Sequence, residues 1–173
     1  MTDPTSIQAI SIEVRPAAQR DAPALCVILN EIIHQGGTTA LQQPLSVATF
    51  DDYFISGPDV IACAVAQDAG TDMLLGFQAL SRDAELPAGW ADIATFARLM
   101  PKVPGIGTAL FAATLASARE LKLLAINATI RADNASGLGY YTKLGFEDYA
   151  VAQGIRLLDG TPVDRLSKRY LLG

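Results

Sequence analysis

The run Lys102-Val103-Pro104-Gly105-Ile106-Gly107-Thr108-Ala109-Leu110 limits the fold more than any other segment, because two closely spaced glycines stand where a predicted strand gives way to an apolar-periodic helix. Backbone N–H groups in such a turn and in the first helical turn have no internal acceptors and point outward, with the positive end of the helix dipole behind them. A phosphate docks against such groups, and glycine lets the backbone come close to it. The run lacks the Gly-Lys-Ser/Thr ending of a nucleoside triphosphate loop, and Leu110 stands where a dinucleotide-binding turn carries its third glycine. What remains is strand, glycine loop, helix and parallel strand, one crossover of an α/β fold.

The rest of the chain supplies partners for that crossover. Ser11 to Arg15 predicts a strand, and Asp21 is placed to cap a helix running to about His34, with Leu25, Ile28, Leu29, Ile32 and Ile33 as its apolar face. Gly36-Gly37-Thr38-Thr39 ends that helix, a second short one fits Val47 to Ile55, and Gly57-Pro58 stops it. Strands follow at Val60 to Gln67 and Leu74 to Leu80 as a hairpin, then one at Ala91 to Arg98 ahead of the glycine loop. The loop opens a helix from Thr108 to about Leu121, whose face reads Leu110, Thr114, Leu115, Ala118 and Leu121, and a strand follows from Leu123 to Ile130. Asn134 precedes a short helix ending at Gly145. Phe146 returns to a strand, and Asp159-Gly160 turns into a last one near Arg165 to Leu172.

A chain of 173 residues suits one domain. Charged residues make up 18% and mean hydropathy is +0.27, values that predict apolar surface covered by a second copy in a homodimer. A net charge of −5 argues against a nucleic-acid surface and suits a cationic substrate. No apolar run reaches membrane-spanning length and the first ten residues carry no basic, apolar leader pattern, so the expectation is a cytoplasmic protein with no membrane partner. Cys26 and Cys63 read as buried free thiols. The lone His34 has no cluster to join, so no metal is expected, and no Gly-x-Ser-x-Gly elbow supports a serine hydrolase.

Beyond the crossover stands Asn134-Ala-Ser-Gly-Leu-Gly-Tyr140-Tyr141-Thr-Lys-Leu-Gly145-Phe146. With the glycine loop, this segment resembles the GNAT superfamily of acyl-coenzyme A N-acetyltransferases. Their loop reads Arg/Gln-x-x-Gly-x-Gly/Ala, matched by Lys102, Gly105 and Gly107. Their next segment carries an Asn, a Tyr seven residues on and a closing Gly-Phe, matched by Asn134, Tyr141, Gly145 and Phe146. Val14-Arg15-Pro16-Ala17 and Asp21 look like the family's opening strand and helix. The resemblance implies an α/β single-domain GNAT fold over 11–173, after a flexible segment 1–10, with a mixed twisted sheet of six to seven strands and helices on both faces.

It also implies acetyl-CoA as cosubstrate. The pantetheine arm would bond to backbone around Thr95, Phe96 and Ala97, and the diphosphate would sit on the N–H groups of Val103, Gly105, Ile106, Gly107 and Thr108 beside Lys102. Pro104 departs from the pattern by removing one donor. Tyr141 matches the tyrosine that protonates the departing thiolate, although Tyr140 beside it is an alternative ring. Asn134 bonds the cofactor, caps the following helix, or both. Asp92 resembles the acidic residue of phosphinothricin-type enzymes, and by alternation it shares a face with Ala94 and Phe96, which suits a general base for the acceptor amine.

Thr38 and Thr39 lie in the loop that borders the acceptor site in the family. Trp90 is a candidate wall of that pocket, and Arg131 is a candidate contact for an acceptor carboxylate or else an exposed charge before a turn. Asp83 and Glu85 are weaker acidic candidates. The expected reaction is direct acetyl transfer to a small-molecule amine, an amino acid or analogue. A protein N-terminus or polyamine acceptor, or a non-catalytic acyl-CoA sensor, stays open.

Overall fold

A computed structural model describes residues 10–173. The expected flexible N-terminal segment falls, apart from Ile10, outside the described residues, and Ile10 itself packs against the cluster of Ala66, Leu75, Ile106 and Leu110. The strands are β1 (Ile12–Pro16), β2 (Val60–Asp68), β3 (Leu74–Ser81), β4 (Trp90–Ala97), β5 (Ala125–Arg131), β6 (Glu147–Arg156) and β7 (Pro162–Leu171), and the helices are α1 (Ala22–Gln35), α2 (Val47–Phe54), α3 (Ile106–Glu120) and α4 (Ala135–Lys143). They form one seven-stranded sheet in the order β1-β2-β3-β4-β5-β7-β6, antiparallel except between β4 and β5. No described helix is long and apolar enough to cross a membrane.

Period-two alternation sorts the strand residues onto two faces. Val65, Phe77, Ala79, Ala94 and Phe96 meet α1 and α2, where Phe77 packs edge-on against Phe50 and Phe54, which are tilted against each other, with centroids 5.1 to 5.3 Å apart. Burying one such ring is worth about 1.5–3 kcal/mol, so this aromatic cluster anchors the two helices. Leu80, Ala91, Ile93, Ile126, Ala128 and Ile130 meet α3 and α4 through Phe111, Ala118 and Tyr141, with Phe146 just past α4 in the same cluster.

Several expectations shift. Asp21 does not cap α1: its carboxylate takes both Arg15 guanidinium contacts, at 2.8 and 2.9 Å, and the Ala18 N–H, closing a short 3-10 turn ahead of the helix. A bidentate charged partner outcompetes a backbone amide for those oxygens. Helix α3 starts at Ile106, two residues before Thr108, because Gly105 adopts φ 88° and serves as its N-cap, which leaves Gly107 inside the first turn. Leu121 is 54% exposed and Phe111 takes its place in the core. Strand β7 begins at Pro162 rather than Arg165, since the Asp159-Gly160 turn closes tightly through the Leu157–Thr161 backbone bond. Strand β5 starts at Ala125 rather than Leu123, as Lys122 holds φ 55° in the turn before it. Cys26 is buried, whereas Cys63 is half-buried with its thiol pushed up to about 12 by desolvation.

Candidate active site

Strands β4 and β5 pair only at Trp90–Ala125, Ala91–Ile126 and Asp92–Asn127. Beyond Asp92 they part, so Ile93 to Ala97 keep their β3 partners on one side and have no strand partner on the other. This opening brings Thr95, Phe96 and Ala97 to one wall and, across β5, Thr129 and Arg131 to the other. Close to it, α3 begins. The first intrahelical bond there joins Ala109 N–H to Gly105 C=O at 3.0 Å, so the N–H groups of Ile106, Gly107 and Thr108 have no intrahelical acceptor. A Cβ at Gly105 would meet only Ile12 Cδ1 at 3.8 Å, which leaves open space before the helix. Gly107 is needed for another reason: a Cβ there would lie 2.6 Å from the Tyr140 ring. Glycine-lined donors beside a gap with unpaired backbone fit a diphosphate and an extended amide-bearing arm.

On the α3–α4 face of the gap, Tyr141 is buried with its Oη 2.9 Å from Thr95 Oγ1. Desolvation pushes its phenol well above the ordinary value, so it stays protonated throughout the physiological range. Tyr140 donates instead to the Gly107 carbonyl at 2.8 Å, pinning α4 to the start of α3. Asn134 caps α4, accepting from Gly137 N–H at 2.9 Å, and donates to the Thr38 carbonyl at 2.8 Å.

On the opposite, α1–α2 face stands Asp92. Asn127 Nδ2 donates to its Oδ1 at 2.6 Å, and Tyr149 from β6 donates to Asn127 Oδ1 at 2.6 Å. Burial pushes the Asp92 carboxyl up to about 6, against the lowering effect of the Asn127 bond. Trp90 meets Tyr149 edge-on at 5.6 Å, so it braces this chain from the start of β4. Arg131 is buried rather than exposed. Its guanidinium pairs with Asp133 at 2.6 and 2.9 Å, and Nη1 donates to the Thr39 carbonyl at 3.3 Å. Arg131 and Asn134 therefore hold the loop carrying Thr38 and Thr39 over the gap. Asn30 fastens the same loop farther on through the Leu45 N–H and C=O, both at 2.9 Å.

Asn127, Tyr149 and Gln78 escaped the sequence reading. Asn127 alternates with Thr129 and Arg131 along β5, and Gln78 is the one amide in the apolar run Leu74 to Leu80, so both left a signal. Tyr149 left none, because only the β6–β7 hairpin brings it to Asn127. Asp83 and Glu85 lie exposed in the β3–β4 loop, and Asp83 reaches the site only through space, as a charge on Asp92 and Tyr149. Among the described residues, no group of three His, Cys, Asp or Glu side chains stands where it can hold a metal ion.

No family model matches the chain. It is 29% identical over 146 residues to the L-methionine sulfoximine/L-methionine sulfone acetyltransferase of Pseudomonas aeruginosa, covering 80% of this chain and 81% of that protein. Its fold superposes with a TM-score of 0.81 on a GNAT superfamily phosphinothricin acetyltransferase from Sinorhizobium meliloti in complex with acetyl-CoA, at 20% identity over 94% of this chain and 89% of that one. The chain has the GNAT fold. A ribosomal-protein-alanine N-acetyltransferase from Brucella melitensis shares the GNAT fold with a TM-score of 0.77 at 20% identity, covering 92% of this chain and 99% of that one. The parting of β4 and β5 and the glycine-capped α3 are backbone features of this chain, while Asp92, Asn127 and Tyr149 are particular side chains placed around them.

Proposed function

We propose that the protein transfers an acetyl group from acetyl-CoA to the amine of a small molecule, an amino acid or analogue, by direct attack. The observation that carries this reading is the placement of a raised-pKa carboxyl, Asp92, and a protonated phenol, Tyr141, on opposite faces of one gap in the sheet. Direct transfer needs a base on the acceptor side and an acid on the thiol side.

Bound acetyl-CoA would supply an acyl thioester already activated for attack. The N–H groups of Val103, Gly105, Ile106, Gly107 and Thr108 would hold its diphosphate with Lys102 as a flanking charge, and the free backbone of Thr95, Phe96 and Ala97 would hold its arm. Asn134 contributes through α4 and the loop it anchors. Asp92 removes a proton from the incoming ammonium, and Tyr141 returns one to sulfur as the carbon–sulfur bond breaks. Thr38, Thr39 and Trp90 border the acceptor pocket, and Arg131 shapes it through the Thr39 carbonyl, its guanidinium being engaged by Asp133.

An amino-acid-like acceptor is supported by the acetyltransferase of methionine sulfoximine and sulfone that this chain resembles along most of its length. Purified protein with acetyl-CoA and a panel of methionine sulfoximine, methionine sulfone, phosphinothricin, polyamines and alanyl peptides, read by free thiol release, tests the reading. Release with the amino acid analogues is expected, and binding of acetyl-CoA without thiol release for any amine would overturn it. The reading includes a cytoplasmic homodimer, supported by the outer strand β6, where Val151 is 58% exposed beside the exposed Tyr149, and by Leu158, 67% exposed at the hairpin tip. Sedimentation gives the mass, and Val151→Lys is expected to shift it toward the monomer.

A further inference from the structure

Gln78 is fully buried between β4 and the α3–α4 layer, yet its Oε1 has no hydrogen-bond partner. A buried carbonyl without a donor costs stability, so an apolar side chain of similar shape would serve the core better. The donors and acceptors around it show what the amide provides instead. A backbone carbonyl has only lone pairs, so the Tyr140 phenol, 2.8 Å from Gly107 O, donates to it. With its single proton committed, Tyr140 Oη faces Gln78 at 3.1 Å as an acceptor, which requires the glutamine to present its NH2. The second proton of that NH2 goes to Thr95 Oγ1 at 2.8 Å. Having accepted there, Thr95 keeps its own proton available for Tyr141 Oη, 2.9 Å away, a contact in which either hydroxyl can be the donor. With Thr95 as the donor, Tyr141 is an acceptor within this chain and its own proton is uncommitted.

We propose that Gln78 is a positioning residue that fixes the direction of this hydrogen-bond chain from Gly107 to Tyr141, so that the Tyr141 hydroxyl keeps its proton free for the departing sulfur. The inference rests on Tyr141 as the proton donor. Were the chain reversed, Tyr141 would donate to Thr95 and its proton would be held away from the gap. The anchor at the far end is the carbonyl of a residue in the first turn of α3. The direction of the chain is therefore set at the same helix end whose N–H groups face the diphosphate.

The test compares kcat of Gln78→Glu and Gln78→Met with the parent across pH, each also in a Tyr141→Phe background. The titratable groups bonded into the chain are the Tyr140 and Tyr141 phenols, both raised by burial, while Asp92 acts on Tyr141 only through space. Asp92 titrates alike in parent and variants, so it cancels in the ratio. A buried glutamic acid ionises near about pH 8–9, and once ionised it can only accept. It then draws the Thr95 proton to itself and turns the chain around.

Gln78→Glu is expected to approach the parent at acidic pH and to lose about tenfold or more in kcat above that range, part of what a general acid supplies, with KM for acetyl-CoA little changed. Gln78→Met, which leaves the direction unset, is expected to lose about three- to tenfold at every pH. Neither should slow the Tyr141→Phe variant further. Parent-like kcat in both Gln78 variants, or losses that multiply with that of Tyr141→Phe, would overturn the inference while leaving Tyr141 as donor. Parent-like turnover in Tyr141→Phe alone would instead remove the reading beneath it. If Gln78→Glu does not fold, the combination of Gln78→Met with Tyr141→Phe decides by the same comparison.

Discussion

Two side chains at the gap owe their chemistry to opposite uses of burial. Desolvation penalises the charged form of any group, so it keeps the Tyr141 phenol protonated and brings the Asp92 carboxyl up to about 6, close to neutrality. Tyr141→Phe is expected to fold and bind acetyl-CoA while losing about 10²- to 10⁴-fold in kcat, and a loss within about threefold in steady-state rates would make the ring structural. Tyr140→Phe is not a neutral companion, because it removes the hydroxyl that grips Gly107 O. A base works only when ionised, so activity through Asp92 should rise as pH climbs through about 6. Asp92→Asn is expected to remove that limb from the kcat/KM profile and to leave acetyl-CoA affinity intact, which a pH–rate series with calorimetry checks. An unchanged profile would assign the base to another group.

At the start of α3 two glycines do different work, and substitution separates them. Gly105 has φ 88° and open space ahead of it, while Gly107 has the Tyr140 ring against its Cα. Gly105→Glu is expected to cost about 1–2 kcal/mol through its left-handed backbone and to abolish acetyl-CoA binding by placing a carboxylate at the proposed diphosphate site. Calorimetry finding parent-like affinity in a folded Gly105→Glu would remove the loop from the cofactor site. Gly107→Ala, small as it is, should cost about 1–3 kcal/mol because the ring of Tyr140 must move, and it should slow turnover by loosening the chain that ends at Tyr141. Thermal melts beside steady-state rates show both effects. The sequence motif marked this helix end but placed the helix start late, since a glycine in the left-handed region caps a helix without the usual Ser, Thr or Asp signal.

For the whole molecule, the Arg15–Asp21 pair ties the edge strand β1 to the start of α1, and its pH dependence is readable in global stability. The Arg15 guanidinium holds the Asp21 carboxyl below the usual carboxylate range. Its stabilisation is therefore complete above the unfolded value of about 3.9 and is lost as pH falls through the lower folded value. Asp21→Asn is expected to cost about 1–3 kcal/mol at neutral pH, with the difference in melting temperature closing below about pH 4. The order of elements, the apolar face of α1, the β2–β3 hairpin and the glycine-led crossover were legible in the sequence, because local periodicity and turn chemistry act over a few residues. The shared face of Asp92, Ala94 and Phe96 was legible for the same reason. Tertiary structure alone decided where β4 and β5 part, that Arg131 is buried on the Thr39 carbonyl, and that Gln78, Tyr140, Thr95 and Tyr141 meet in one hydrogen-bonded chain. Those contacts join residues from 17 to 92 positions apart, and no local pattern encodes which side chains meet across such separations until the sheet and its two helix layers are packed.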